Sequence, residues 1–201
     1  MPNDTEKAIL RAAEQEFMLK GYAGARTTAI AEKTGVTHAM LHYYYRTKES
    51  LFDRIIDVKA TELLEQMLSL YDLEPDMPFA DKVCHMVERH FKLLMQNPLL
   101  PGFILTELKN NPERLDAWFA RMGEAVKRLT PRLEDEIKTA AEEGKICRIS
   151  VCRLLTDILG LNISSVCFAE VLGRIYCQSR EEYLDMRLKE NIEVIRKRLT
   201  P

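Results

Sequence analysis

The sequence lacks the features that mark several large classes of protein. Its 201 residues include five cysteines, an odd number without a C-x-x-C pair, which suits reduced thiols in a cytosol better than a disulfide framework. The first residues, MPNDTEKAIL, are acidic and contain no apolar segment of the signal-peptide kind. No apolar run approaches the roughly 20 residues that span a bilayer. We therefore expect a cytoplasmic protein with no membrane partner.

Motifs that carry catalysis or hold a cofactor are also missing from the sequence. It contains no Gly-rich phosphate loop, no Glu-x-x-His pair of a di-iron bundle and no serine in a nucleophile-elbow motif. His38 and His42 are four residues apart and could chelate a metal, but no third ligand accompanies them. We expect no catalytic residues, metal or cofactor, and an all-helical enzyme is the competing class.

Apolar residues recur at helical spacing between glycine and proline positions, and no segment alternates with period 2, so we expect no sheet. Thr27 or Thr28 is predicted to cap a short second helix that Gly35 closes, and a third helix begins near Thr37. Thr47 is predicted to cap a fourth helix of some 25 residues. Five further helices follow, so the expected fold is all-α with about nine helices.

The two short helices joined by Gly-Val-Thr have the layout of a helix-turn-helix. In the segment THAMLHYYYRTKESLF, residues 37–52, Leu41 and Tyr45 share the face that packs inward. The side chains predicted to point away from that core are those of His38, Ala39, His42 and Tyr43, with Tyr44 at the margin. Hydrogen-bonding groups and flat rings on a short helix fit the major groove of DNA.

Groups suited to phosphates lie beside this helix. Thr27, Thr28, Thr37 and Lys48 are predicted near helix N-termini, where hydroxyls, free N–H groups and a cation can hold phosphate oxygens. The stretch from Lys20 to Lys59 contains seven basic and four acidic residues, whereas the whole chain has a net charge of −2. A local positive stretch on an acidic chain favours a polyanion such as double-stranded DNA.

Several of these features occur together at the offsets of a known family. The segments ILRAAEQEFMLKGYAGARTT and IAEKTGVTHAMLHYYYRTKESLF resemble the DNA-binding domain of the TetR family, the tetracycline-repressor-type bacterial regulators. The resemblance covers residues 9–56, about a quarter of the chain. It implies a homodimer that reads a roughly palindromic operator.

Carried over position by position, the resemblance implies DNA-facing roles for Thr27, Thr37, His38, Ala39, His42, Tyr43, Tyr44 and Lys48. Leu41 and Tyr45 match buried positions of the family. Ala39 stands where the family often has glycine, and Tyr45 replaces a usual phenylalanine, so its hydroxyl must reach a partner or solvent.

Residues 1–47 are therefore interpreted as the DNA-binding domain and residues 48–201 as a helical regulatory domain, in which the family binds effectors and dimerises. Candidate effector-binding residues are Met67, Phe91, Met95, Phe103, Glu107, Trp118, Phe119 and Met122. Their thioethers and rings suit a small, largely apolar or aromatic effector. Candidate dimer-interface residues are Leu154, Leu155, Ile158, Leu161, Asn162, Ser165, Ile192, Ile195 and Leu199.

The function predicted from the sequence is a DNA-binding transcriptional regulator, a repressor that an effector releases from its operator. The alternative within the same class is a regulator controlled by a protein partner instead of a small molecule.

Overall fold

The computed structural model describes residues 4–72, 77–110 and 116–201. Within the helices, the side chains at 60, 62–72, 107, 108, 110, 117–119, 121, 122, 125 and 128 are not described. The described residues form nine helices and no strand, which confirms the all-α prediction. The helices are α1 Asp4–Gly24, α2 Thr27–Thr34, α3 His38–Tyr44, α4 Lys48–Asp72, α5 Phe79–Gln96, α6 Leu100–Asn110, α7 Asp116–Glu142, α8 Val151–Ile175 and α9 Arg180–Leu199.

Packing divides the chain into two compact units. Unit 1 comprises Met1–Leu64 and Gly102–Met122, and unit 2 comprises Glu65–Pro101 and Gly123–Pro201. This division is one of packing, whereas the boundary predicted after residue 47 separates DNA binding from regulation. That functional boundary stays a prediction.

Unit 1 is built around an aromatic cluster. Phe52 packs edge-on against Phe17 and Tyr22, with ring centroids 5.1 and 4.9 Å away, and its ring lies 5.7 Å from that of Phe103. Phe17 and Phe52 are almost fully buried. Such ring pairs add about 0.5–1.5 kcal/mol each beyond the area that they bury. Ile30 of α2 and Leu41 of α3 belong to the same core, so both short helices pack against this cluster.

The end of α1 differs slightly from the predicted end at Gly21. The helix is assigned through Gly24, but Gly21 adopts φ 66° and ψ 175°, which breaks the regular helical path. A left-handed φ of this kind is open to glycine at little cost. The regular part of α1 therefore ends at Gly21, and residues 22–24 form a further short helical segment before α2.

Unit 2 contains a buried polar network that ties α5, α8 and α9 together. The Asn162 amide nitrogen donates to the Val87 carbonyl at 2.9 Å and lies 3.0 Å from Nδ1 of His90. Asn191 donates its amide to Oδ1 of Asn162 at 3.0 Å, and Arg187 donates to Oδ1 of Asn191 at 2.9 Å. Arginine can only donate and a carbonyl can only accept, so the direction of every bond in this chain is fixed.

In the part of the chain that the structure describes, one helix, α8, is both long and apolar along much of its length. By length and composition it could cross a membrane, although only about a third of the relevant window is buried inside the protein. One side of α8 packs in the core of unit 2 through Leu154 and Ile158. The other side carries Phe168, Val171 and Ile175, each more than half exposed. Charged residues such as Arg153 and Asp157 interrupt the apolar run of α8, so no uninterrupted span is visible in the sequence.

Candidate DNA-binding surface

The turn between α2 and α3 determines how α3 is presented. Gly35 ends α2 with φ 68° and donates its N–H to the Glu32 carbonyl. A side chain at this left-handed φ would be strained, so glycine suits the position. Thr37 then caps α3, its hydroxyl accepting from the Met40 N–H at 3.2 Å. Leu41 is 2% exposed and faces the core, so the opposite side of α3 faces outward.

The residue that begins α2 has a different role from the predicted one. Neither Thr27 nor Thr28 caps the helix, since the N-cap is Arg26 and its side chain makes no capping hydrogen bond. The Thr27 hydroxyl instead lies 3.2 Å from Nε2 of His38. Thr27 thus connects the start of α2 to the start of α3, while Thr28 is exposed.

The outward side of α3 is formed by predicted residues. Tyr43 is 85% exposed, which is unusual for so large an aromatic ring. His38, Ala39 and His42 are exposed beside it, and Tyr44 is half-buried with its ring 5.7 Å from that of Tyr43. The structure therefore brings these five side chains together on one surface.

Tyr45 faces the other way, as expected from its match to a buried position. Its hydroxyl donates to the Glu6 carboxylate on α1 at 3.2 Å. Burial, together with the neighbouring Glu6 carboxylate, raises the pKa of Tyr45 to about 12. Tyr45 stands where the family usually has phenylalanine, and its additional hydroxyl has a hydrogen-bond partner inside unit 1. This bond connects the end of α3 to α1.

Lys48 is held against the end of α1. Its Nζ donates to the Ala23 carbonyl at 3.4 Å and lies 4.8 Å from the centroid of the Tyr22 ring. A cation over an aromatic face gains about 0.5–1 kcal/mol at an exposed site. Because Lys48 is the first residue of α4, its charge lies at the N-terminal end of that helix. A cation at a helix N-terminus is the chemistry that holds a phosphate.

A buried carboxylate that the sequence analysis did not single out holds this surface in place. Glu16 is 1% exposed and accepts from Lys20 at 2.6 Å, from Lys33 at 3.5 Å and from the Arg26 N–H at 3.4 Å. The hydrogen bond from Lys20 lowers the pKa of Glu16, against the opposing effect of burial. The carboxylate links α1, the turn after it and α2. Only the folded arrangement reveals this role, because Lys33 is 17 positions away in sequence.

Comparison with known proteins agrees with this geometry. Residues 9–55 match the family described as "Bacterial regulatory proteins, tetR family". The uncharacterized HTH-type transcriptional regulator YdgC of Bacillus subtilis is 30% identical over 169 residues, a match that spans 77% of this chain and 84% of that protein. The chain belongs to the TetR family. It is therefore a DNA-binding transcriptional regulator and not an enzyme.

Solved structures extend the likeness to the whole chain. SCO4942 of Streptomyces coelicolor superposes with a TM-score of 0.74 at 18% identity, covering 98% of each chain. FadR of Bacillus subtilis, solved in complex with stearoyl-CoA, superposes with a TM-score of 0.62 at 18% identity, covering 96% of this chain and 98% of FadR. At these identities the likeness concerns the fold. This TetR-family chain therefore shares their all-helical fold beyond the helix-turn-helix as well.

The residues predicted to bind an effector fall into three groups. Phe91 is fully buried in unit 2, where the half-buried Met95 packs against the same cluster. Phe103 is buried in the core of unit 1. The side chains of Met67, Glu107, Trp118, Phe119 and Met122 lie outside the described residues. Their role in this TetR-family chain stays a prediction.

Most of the residues predicted for the dimer interface are buried within the single chain. Leu154, Ile158, Asn162, Ser165, Ile195 and Leu199 are at most 3% exposed in the single chain. Leu155, Leu161 and Ile192 are partly buried and pack against the same core. The six buried side chains lie on the inner face of α8 and α9, and the part of these nine residues in a dimer stays a prediction. The sequence pattern identified the apolar side of each helix but not which apolar side remains exposed.

Proposed function

We propose that this TetR-family chain is a cytoplasmic repressor that binds a roughly palindromic operator as a homodimer. A small, largely apolar or aromatic effector releases it. The observation that carries the proposal is the outward side of α3, where Tyr43, His38 and His42 are exposed side by side. Rings and imidazoles on a short helix offer contacts to base edges and phosphates in a major groove.

The exposed side of α8 supports a dimer. Phe168, Val171 and Ile175 follow one another at helical spacing and form one apolar stripe. A second copy could cover this stripe with its own, as happens in a two-fold symmetric interface. In a cytoplasmic dimer the stripe meets protein instead of lipid. Such a dimer would place its two α3 helices in half-sites about 34–36 Å apart, or a multiple of that distance.

Control by a small molecule is supported by the structural neighbours. FadR of Bacillus subtilis was solved with stearoyl-CoA bound, and a structurally similar Clostridium perfringens protein is described as a fatty acid metabolism regulator. A long-chain acyl-CoA is therefore the first effector to try. It can weaken operator binding only to the extent that it prefers the arrangement with lower DNA affinity.

Selection of bound DNA from a random library tests the proposal. We expect an inverted repeat whose half-sites are separated by one helical turn or a multiple. Recovery of unrelated sequences with no symmetric element would contradict it.

The effector is tested by titrating stearoyl-CoA against the selected operator, with a short-chain acyl-CoA as the matched control. Weaker binding with the long chain alone is the expected result. Equal operator affinity at saturating stearoyl-CoA would rule out this effector. Equal affinity across a panel of apolar ligands would favour control by a protein partner.

A further inference from the structure

The ring of His42 is held in a defined orientation by the main chain. Its Nδ1 lies 3.0 Å from the carbonyl oxygen of Arg46, just beyond the end of α3. A carbonyl oxygen can only accept a hydrogen bond, so Nδ1 must carry the proton in this contact. In the neutral imidazole the other nitrogen, Nε2, is then a bare acceptor. The fold therefore selects one tautomer at this position.

His38 is held in a different way, although it lies one helical turn earlier. Its Nε2 is 3.2 Å from the hydroxyl of Thr27, and a hydroxyl can donate or accept. Either tautomer of His38 satisfies this contact. The two rings are 4.7 Å apart and inclined at 69°. Of the two exposed histidines, only His42 has its hydrogen-bonding character fixed by its protein partner.

An obligate acceptor distinguishes between bases. In the major groove adenine presents the N6 amino donor and cytosine the N4 amino donor. Guanine presents O6 and N7, and thymine presents O4 with a methyl group, so neither offers a donor there. We propose that His42 is a specificity-determining residue of the operator contact, which accepts through Nε2 from an exocyclic amino group of adenine or cytosine. This inference rests on DNA binding by the outward side of α3.

The experiment measures base preference along the operator half-site. Operator variants carrying each base pair at every half-site position are bound at one pH and one ionic strength. At one position we expect a preference for the amino-bearing base of about 5- to 150-fold, the range of one good base contact.

Three proteins are compared in this assay. His42→Phe keeps a flat ring but has no acceptor, so its base preference at that position should fall toward one. His85→Phe is the matched control, the same change at an exposed histidine of α5 that lies outside the DNA-binding surface, and it should keep the base preference of the unmodified chain. Both positions are exposed, and circular dichroism melting curves check that both variants fold.

The outcomes are distinguishable. A base preference that is unchanged in His42→Phe would overturn the proposal. So would a preference for guanine or thymine at the position that His42→Phe affects. An equal loss of affinity for every operator variant would mean that the ring contacts phosphates, which also overturns the base contact. Failure of the unmodified chain to bind any selected operator would refute the proposed function itself, and this inference with it.

Discussion

Lowering the pH should destabilise unit 2 through one buried histidine. His90 is 5% exposed on α5, and its Nδ1 faces the Asn162 amide at 3.0 Å. The same amide also donates to the Val87 carbonyl, so it cannot turn to offer its oxygen without losing that bond. A proton on Nδ1 would therefore meet a donor. Burial lowers the pKa of His90 from 6.5 to about 4.

The size of the effect follows from linkage. The unfolded chain binds a proton at this site near pH 6.5 and the folded chain only near pH 4, so stability is fully present above pH 6.5 and is lost as the pH falls toward 4. Each unit of pKa difference corresponds to about 1.4 kcal/mol, which gives about 3 kcal/mol for the full shift. Between about pH 7 and about pH 5 the expected loss is about 2 kcal/mol.

The assay is urea unfolding of the full chain at fixed protein concentration, at the two pH values. His90→Gln can still accept from Asn162 but has no titrating group. It is expected to be less stable than the unmodified chain at neutral pH. It should also lack the loss of about 2 kcal/mol between the two pH values, so the comparison is of how steeply the free energy of unfolding changes with pH. His85→Gln is the control, an exposed histidine on the same helix. Parallel pH dependences for the unmodified chain and His90→Gln would refute the reasoning.

Three other perturbations test separate parts of the molecule. Lys48→Ala should weaken binding to all DNA sequences alike and lower the salt slope of binding by about one, measured by fluorescence anisotropy at several salt concentrations; a loss confined to one operator would contradict a phosphate role. Glu16→Gln should lower the free energy of unfolding by about 1–3 kcal/mol, because Lys20 and Lys33 lose their shared carboxylate. That stabilisation is present above the unfolded pKa of Glu16 and is lost as the pH falls through the lowered folded pKa. In urea unfolding at several pH values, the free energy of unfolding of Glu16→Gln should therefore fall less steeply at acid pH than that of the unmodified chain. An equally steep fall would argue against this role of Glu16. Phe168→Glu should dissociate the proposed dimer in analytical ultracentrifugation. Val126→Glu, at an exposed position of α7, is the control and should leave it intact. A dimer that persists in Phe168→Glu would exclude the α8 stripe as the interface.

The helix-turn-helix could be predicted because its signals are local. Gly35 adopts the left-handed φ that ends α2, and Thr37 caps α3 through a bond to a residue three positions away. The four-residue spacing places Leu41 inside and Tyr43 outside. Each of these features depends on backbone geometry within one or two turns of helix, which the sequence encodes directly.

The features that the sequence did not reveal depend on residues far apart in the chain. Helical periodicity distinguishes an apolar side from a polar one, but α8 has apolar residues on two sides, and only the packing of α5 and α9 decides which is covered. Asn162 was interpreted as an interface residue because a polar group in an apolar helix can fix register. Its partners Val87 and His90 lie more than 70 positions away, so their contact could not be read from spacing.

The central claim, that the outward side of α3 binds DNA, is tested most directly by the operator affinity of Tyr43→Ala. The side chain is 85% exposed, so its removal should leave the fold intact. Leu19→Ala, a 64% exposed position on α1, is the matched control. The account predicts that Tyr43→Ala weakens binding by roughly 1–3 kcal/mol, about 5- to 150-fold, while Leu19→Ala binds normally. Equal operator affinity for Tyr43→Ala and the unmodified chain at physiological salt would contradict it.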